Sequence, residues 1–274
     1  MSAIENSTLG KATSYSGRYD RDLLVPLSRA ANRADIGVSE PLPFCGVDIW
    51  NAYELSWLDQ RGKPHVALAE FRVSARSPNL IESKSFKLYL NGFAQERVVD
   101  APALQAILVR DLSAAAGVAV DVTLRDAHVA QQVLGDLPGT PLDEQDLSID
   151  CYGPPHAGFL RAHKDAPAIS ETLVSHLLRS NCPVTGQPDW GSVQITYLGA
   201  PIEHAGLLRY LVSFRTHSGF HEHCVERIFV DLMRRCAPQQ LSVYARYTRR
   251  GGLDINPFRS TTAAQPDNVR TPRQ

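Results

Sequence analysis

The sequence predicts an α+β protein built from two tandem modules, and three observations carry that prediction. Segments with strand periodicity and segments with helix periodicity occur in both halves of the chain. A turn-rich stretch over residues 134–155, holding Gly135, Pro138, Gly139, Pro141, Gly153, Pro154 and Pro155, lies between the halves. The string Glu82-Ser-Lys-Ser-Phe-Lys-Leu-Tyr-Leu-Asn-Gly-Phe also aligns without gaps on Glu203-His-Ala-Gly-Leu-Leu-Arg-Tyr-Leu-Val-Ser-Phe, 121 residues later, sharing Glu, Tyr, Leu and Phe at equal offsets. The expected boundaries are a polar N-terminal segment 1–20, an N-terminal module 21–140, a C-terminal module 141–260 and a polar tail 261–274. Both ends are expected to lie outside the core.

The elements follow in chain order. Residues 65–74 alternate apolar and polar side chains, as a half-buried strand does. Over residues 101–116, Leu104, Ile107, Leu108 and Leu112 recur at spacings of three and four, the stripe of an amphipathic helix. Residues 118–124 alternate again, as do 192–197 and 241–247. Between those last two, Ile228, Leu232 and Cys236 mark a helix over 224–236.

Composition narrows the function. Of 274 residues, 43% are hydrophobic and 21% charged, enough apolar material for a sizeable core. A formal net charge of -1 supplies no basic field for a phosphate backbone, so a small-molecule substrate is expected and no nucleic-acid partner. Five cysteines, an odd number at irregular spacing, do not read as a disulfide framework and point to a reducing cytoplasm. The start of the sequence lacks a basic region followed by an apolar run, and no stretch of about 18 apolar residues occurs, so neither export nor membrane insertion is expected.

Four strings could carry chemistry. Cys182 and Asp189 stand in Asn181-Cys-Pro-Val-Thr-Gly-Gln-Pro-Asp, where two prolines restrict a loop that could hold a thiol near a carboxylate. Read locally, Cys182 is more simply a small buried hydrophobe. Phe220-His-Glu-His-Cys is the densest histidine cluster. It reads as a grip for a heterocycle, with Phe220 stacking and His221 and Glu222 on its hydrogen-bonding edge, as metal ligands through His221, His223 and Cys224, or as a solvated helix start. Glu82-Ser-Lys-Ser-Phe-Lys reads as an anion site or an exposed turn, and Tyr247-Thr-Arg-Arg-Gly-Gly as a phosphate contact or a charged loop. No dinucleotide-binding glycine fingerprint, P-loop, H-E-x-x-H or nucleophile elbow is present.

Taken together, Glu82-Ser-Lys-Ser, the Cys182 to Asp189 string, Phe220-His-Glu and Arg249-Arg-Gly-Gly-Leu-Asp-Ile-Asn-Pro closely resemble the 7-cyano-7-deazaguanine reductase family in its long two-module form, over about residues 20–260. The resemblance implies two tandem tunnelling-fold modules, antiparallel sheets with helices packed on one face, and a homodimer. It implies NADPH-dependent reduction of a nitrile to a primary amine in queuosine biosynthesis, and it is what turns Cys182 into a nucleophile that forms a thioimide. Asp189 is then the proton partner of Cys182, and His221 either donates a proton in a later step or shields the imine from water. Ile81, Glu82, Ser83, Phe220, His221 and Glu222 would bind the substrate, and Ser83, Lys84, Arg250 and Gly251 would contact NADPH. His223, where many relatives carry an acidic or amide residue, departs from the pattern and would change the local charge. Two rivals stand beside this reading: a zinc-dependent pterin enzyme of the same fold, such as a GTP cyclohydrolase, and a non-catalytic purine-binding module.

Overall fold

A computed structural model describes residues 17–127 and 134–274. They form two compact units, one of residues 17–31, 48–127 and 249–254, the other of residues 32–47, 134–248 and 255–274. The first unit holds β1 (Pro26–Ser28), β3 (Pro64–Ser74), β4 (Asn79–Ile81), α2 (Ser83–Gly92), α3 (Ala101–Ala116), β5 (Val120–Asp126) and most of β2 (Cys45–Leu58). The second holds β6 (Thr140–Pro141), β7 (Ile169–Asn181), β8 (Pro188–Gly199), α4 (His204–Val212), α5 (His221–Cys236), β9 (Gln240–Tyr247) and most of β10 (Leu253–Ser260), while α1 (Arg29–Asp35) runs from one unit into the other. The α+β class is as expected; among the described residues β3–β5, β7–β8, β8–β9 and β9–β10 pair antiparallel, and the two-residue β6 joins β7 in parallel.

In the first unit the strands follow the order β5-β3-β2, with Phe71 opposite Val122. Apolar side chains of β2, β3 and the helices meet in an aromatic core, where Phe86 lies 5.0 Å from Phe71 and 5.4 Å from Trp50, centroid to centroid. Leu104, Leu108 and Leu112 of α3 are wholly buried, whereas Ile107 is only half-buried. Asp100 caps α3 by accepting from Ala103 N–H at 2.8 Å, and Gly117 closes it in the left-handed region. Asp111 on the buried side of α3 accepts from Tyr19 and Tyr89 hydroxyls at 2.7 and 2.9 Å. Burial alone would push its carboxyl up, yet the bonds from Arg110, Tyr19 and Tyr89 together hold it below the usual range. Tyr19 therefore ties the end of the 1–20 segment into the core, contrary to expectation, while residues 1–16 of that segment lie outside the described residues.

The second unit has strand order β10-β9-β8-β7-β6. Helix α5 packs on β9 and α4 on β7, burying Ile228, Phe229, Leu232, Leu207 and Leu211 against Leu173, Val193, Ile195 and Val243. Each such large apolar side chain contributes roughly 1.5–3 kcal/mol when taken from water. The recurring string folds alike in both copies: Glu82 stands at the N-cap of α2 and Glu203 at that of α4.

The tail differs from expectation. Thr271 and Gln274 are buried, and the Gln274 amide accepts from Arg246 Nε at 2.8 Å and donates to Tyr247 O and Asn256 Oδ1 at 3.0 and 2.8 Å. Polar residues were expected to be poorly packed here, but a buried amide that satisfies both its donors and its acceptor is stable in a core.

Candidate active site

Strands β7 and β8 form a hairpin whose turn begins at Cys182. Its tightness comes from two bonds, Cys182 N–H to Gln187 O at 2.9 Å and Gly186 N–H to Cys182 O at 3.0 Å. The register pairs Asn181 with Pro188 and Ser180 with Asp189. Side chains alternate along a strand, so Cys182 shares the face of Ser180, and Asp189, directly across from Ser180, faces the same way. All three are buried, Cys182 at 8% exposure and Asp189 at 4%, so this face looks inward. The register thus puts Asp189 on the buried face of Ser180, and the strand alternation continued one residue past Asn181 puts the buried Cys182 on that face too.

The same hairpin end is laced to the loop before α5. Asn181 N–H donates to His217 O at 2.8 Å, and Gly219 N–H to Asn181 O at 3.1 Å. Phe220 is the N-cap of α5, and His221, Glu222, His223 and Cys224 follow in its first turn, all buried. A solvated helix start is therefore ruled out. The His221 ring stacks on Tyr247, centroids 3.9 Å apart and 23° between planes, and its Nε2 comes within 3.4 Å of Asp189 Oδ2. Glu222, 3% exposed, sits where the positive end of the helix dipole favours a carboxylate. Tyr247 lies beside Ser180, Cys224, Asp189 and Glu222, and burial keeps its phenol protonated.

Two neighbours are silenced by burial. Desolvation pushes the Cys224 thiol up to about 12, so it stays protonated and is a poor nucleophile. Desolvation, reinforced by Arg227, pushes His223 down to about 4, so at neutral pH it adds no charge beside Glu222. The stability consequence has a definite sign. Between about pH 6.5 and 4 the unfolded chain binds a proton at this position and the folded chain does not, so stability falls on acidification through that window. The expected loss from His223 is about 3 kcal/mol. Urea unfolding of a His223→Gln variant should show a flatter pH profile between 7 and 4; an unaltered slope would mean that His223 is not held neutral by the fold.

The remaining site residues lie in the first unit. Ile81 is buried at the end of β4. Glu82, 1% exposed, accepts from Lys84 N–H and Ser85 N–H at 2.7 Å each, one on either oxygen. An ionised carboxylate has about four acceptor sites, so two remain for a ligand. Ser83 and Lys84 open α2. Arg250 and Gly251 form a tight turn: Gly251 has φ +58, and a Cβ there would lie 3.3 Å from Lys87 of α2. The structure therefore brings the glycine turn against the helix that carries Ser83 and Lys84. Lys87, the second lysine of the string read as an anion site, was not among the NADPH contacts that the resemblance implies, although its spacing of three from Lys84 puts it on the same side of α2.

Among the described residues no three histidine, cysteine or acidic side chains come together in a metal-binding cluster, and no helix is long and apolar enough to cross a membrane. A family model described as nitrile reductase, 7-cyano-7-deazaguanine-reductase N-term, matches residues 15–124, and one described as QueF-like protein matches residues 188–266. Curated proteins of Burkholderia mallei (strain SAVP1) and Burkholderia pseudomallei (strain 668), each named NADPH-dependent 7-cyano-7-deazaguanine reductase, are 58% identical over 272 residues, covering 98% of this chain and 99% of the relative. The crystal structure of an archaeosine synthase QueF-Like in the apo form aligns with TM-score 0.31 and 15% identity over 37% of this chain and 100% of that one.

Proposed function

Because the chain belongs to the NADPH-dependent 7-cyano-7-deazaguanine reductase family, we propose that it reduces the nitrile of 7-cyano-7-deazaguanine to the primary amine through a covalent thioimide on Cys182, serving queuosine biosynthesis. One observation carries the mechanism: Cys182, Asp189 and His221 converge, with Cys182 and Asp189 on one buried face and His221 Nε2 3.4 Å from Asp189 Oδ2.

An unactivated nitrile is a poor hydride acceptor. Addition of the Cys182 sulfur to the nitrile carbon gives a C=N electrophile that accepts hydride more readily. Asp189 takes the thiol proton and returns it to the nitrile nitrogen, so the addition loses no atoms. When bound, NADPH would supply the hydride for each of the two reductions, and the Cys182 sulfur would leave between them. His221, stacked and shielded from water, hands a proton to the nitrogen in the later steps. Phe220 and Glu222 hold the base, the carboxylate accepting from its adjacent N–H donors, and the family resemblance gives Ile81, Glu82 and Ser83 the same substrate-binding role.

The residues of the first unit fit a nicotinamide cofactor. Gly251 lets backbone approach a ligand closely, and Ser83, Lys84, Lys87 and Arg250 offer hydroxyl and cationic partners for phosphate. Five free cysteines support a reducing, cytoplasmic setting, and the family resemblance supports a homodimer.

The expected stoichiometry is two NADPH oxidised per nitrile consumed, with the aminomethyl base as product, measured by absorbance and mass spectrometry of the same reaction. A 1:1 ratio ending in an aldehyde would mean that the imine escapes to water and would overturn the assignment of a shielded second reduction.

A further inference from the structure

We infer that Tyr247 is a positioning residue for His221, held in place by a glycine on one side and by the Gln274 amide on the other. The inference rests on the roles proposed above for Cys182, Asp189 and His221 and adds a residue that those roles do not include.

The argument begins at the register of β8 and β9. Gly191 lies directly opposite Tyr247, two residues after Asp189 on the same face. A Cβ at Gly191 would stand 3.1 and 3.2 Å from Cδ1 and Cε1 of the Tyr247 ring, closer than side chains ordinarily pack. The missing side chain is thus the space in which the ring lies. An aromatic ring covering a cross-strand glycine is anchored on that side by backbone. The imidazole of His221 then stacks on the ring at 3.9 Å and 23°. Stacking removes the free rotation that would swing Nε2 away from Asp189 Oδ2, 3.4 Å distant.

The backbone under Tyr247 is fixed as well. Tyr247 is the last residue of β9, where a strand would ordinarily fray. Its N–H donates to Asn256 Oδ1 at 3.3 Å, and its carbonyl accepts from Gln274 Nε2 at 3.0 Å. The same Nε2 donates to Asn256 Oδ1 at 2.8 Å, while Gln274 Oε1 accepts from Arg246 Nε and Thr271 N–H at 2.8 and 3.1 Å. The tail therefore acts at the site through a chain of three contacts: Gln274 to Tyr247 backbone, Tyr247 ring to His221, His221 to Asp189. A catalytic group displaced by about 1 Å can lose on the order of 100-fold in rate, which is why a ring that touches no substrate can matter.

The test compares Tyr247→Leu, Tyr247→Phe and Gln274→Ala, each alone and combined with His221→Ala, in steady-state NADPH oxidation on 7-cyano-7-deazaguanine. Tyr247→Leu should lower kcat on the order of 100-fold with KM for NADPH near the wild-type value. Tyr247→Phe keeps the stack and should lose less than about tenfold, the cost of a hydroxyl contact. In the His221→Ala background, Tyr247→Leu should cost no more than about twofold further, because two residues acting through one group are not additive. Gln274→Ala should show a smaller loss with the same non-additivity. Should Tyr247→Leu fail to fold, Gly191→Ala, which presses a methyl on the ring, takes its place with the same expectation. The inference is overturned if the Tyr247→Leu and His221→Ala losses multiply, if Tyr247→Phe is as damaging as Tyr247→Leu, or if Tyr247→Leu turns over at the wild-type rate. A wild-type protein that neither consumes NADPH nor forms an adduct overturns the proposed function and this inference with it. A wild type and a His221→Ala variant that behave as proposed, beside multiplying losses, overturn this inference alone.

Discussion

Cys182→Ala is expected to bind 7-cyano-7-deazaguanine and oxidise no measurable NADPH, a loss of at least about 10⁴-fold in turnover. The expectation follows from what the thiol does. In the proposed function binding belongs to other side chains, chiefly Phe220 and Glu222 at the start of α5, which the substitution leaves in place. The proposed chemistry belongs to the sulfur, because without a thioimide the nitrile remains a poor hydride acceptor. Removing one sulfur from a side chain already 8% exposed at the end of a hairpin leaves the turn bonds intact, since both are made by the backbone. Calorimetric titration with the nitrile and an NADPH oxidation assay on the same preparation separate the two effects. Turnover within tenfold of wild type would show that hydride reaches the nitrile without covalent help.

Glu226→Ala should give the largest loss of stability. Glu226 sits one turn beyond Glu222 on α5 and is 2% exposed. Its Oε2 accepts from Arg33 Nε at 3.0 Å, and its Oε1 accepts from Arg33 at 2.8 Å and from two nitrogens of Arg259 at 2.9 and 3.0 Å. Both guanidinium groups also lie over the Phe44 ring, each 5.6 Å from its centroid. Deleting the carboxylate leaves two like charges buried together, where breaking a buried pair costs about 3–5 kcal/mol. At roughly 2–4 °C per kcal/mol for a chain of this size, the melting temperature should fall by about 10 °C at fixed protein concentration. A fall of less than about 2 °C would mean that water reaches the two arginines.

How much of this was legible in the sequence depended on whether a pattern survived packing. The helix over Ala101–Ala116 and the strands β3 and β5 were legible because each buries one face more than the other, and β8 and β9 because their polar and apolar side chains alternate in sequence, although β9 buries Val243 to Tyr247 without a break. The long strands β2, β7 and β10 were not, nor were the short β1, β4 and β6. In β7 the three consecutive residues Leu173 to Ser175 are buried and the register then shifts between Ser175 and Leu178, so no alternation survives. In β2 four consecutive residues, Val47 to Trp50, are buried, with Asp48 balanced by Arg29 at 2.6 Å. All eight residues of β10 are buried, and its Asp254, Asn256 and Arg259 disguise it as a loop. Those polar groups are stable only because partners far apart in sequence satisfy them, Asp254 through Asn51 and Tyr53 for example.

The site divides in the same way. Cys182, Asp189, His221 and Glu222 stand in strings whose spacing could be read, and the resemblance supplied their roles. Tyr247, Gly191 and Gln274 carried no local signal that linked them to His221. Their link exists only in the β8–β9 register and in a tail whose polar composition argued for poor packing. His223 was legible as a departure from the family pattern, but not as a neutral one, since its silence comes from burial beside Arg227.

The central claim is a covalent bond between Cys182 and the nitrile, and intact-mass spectrometry of the protein mixed with 7-cyano-7-deazaguanine in the absence of NADPH tests it most directly. The account predicts a gain equal to the full mass of the nitrile, with no atoms lost, located on the peptide that carries Cys182 and removed by Cys182→Ala. An unshifted mass for a preparation that goes on to reduce the nitrile when NADPH is added would contradict it.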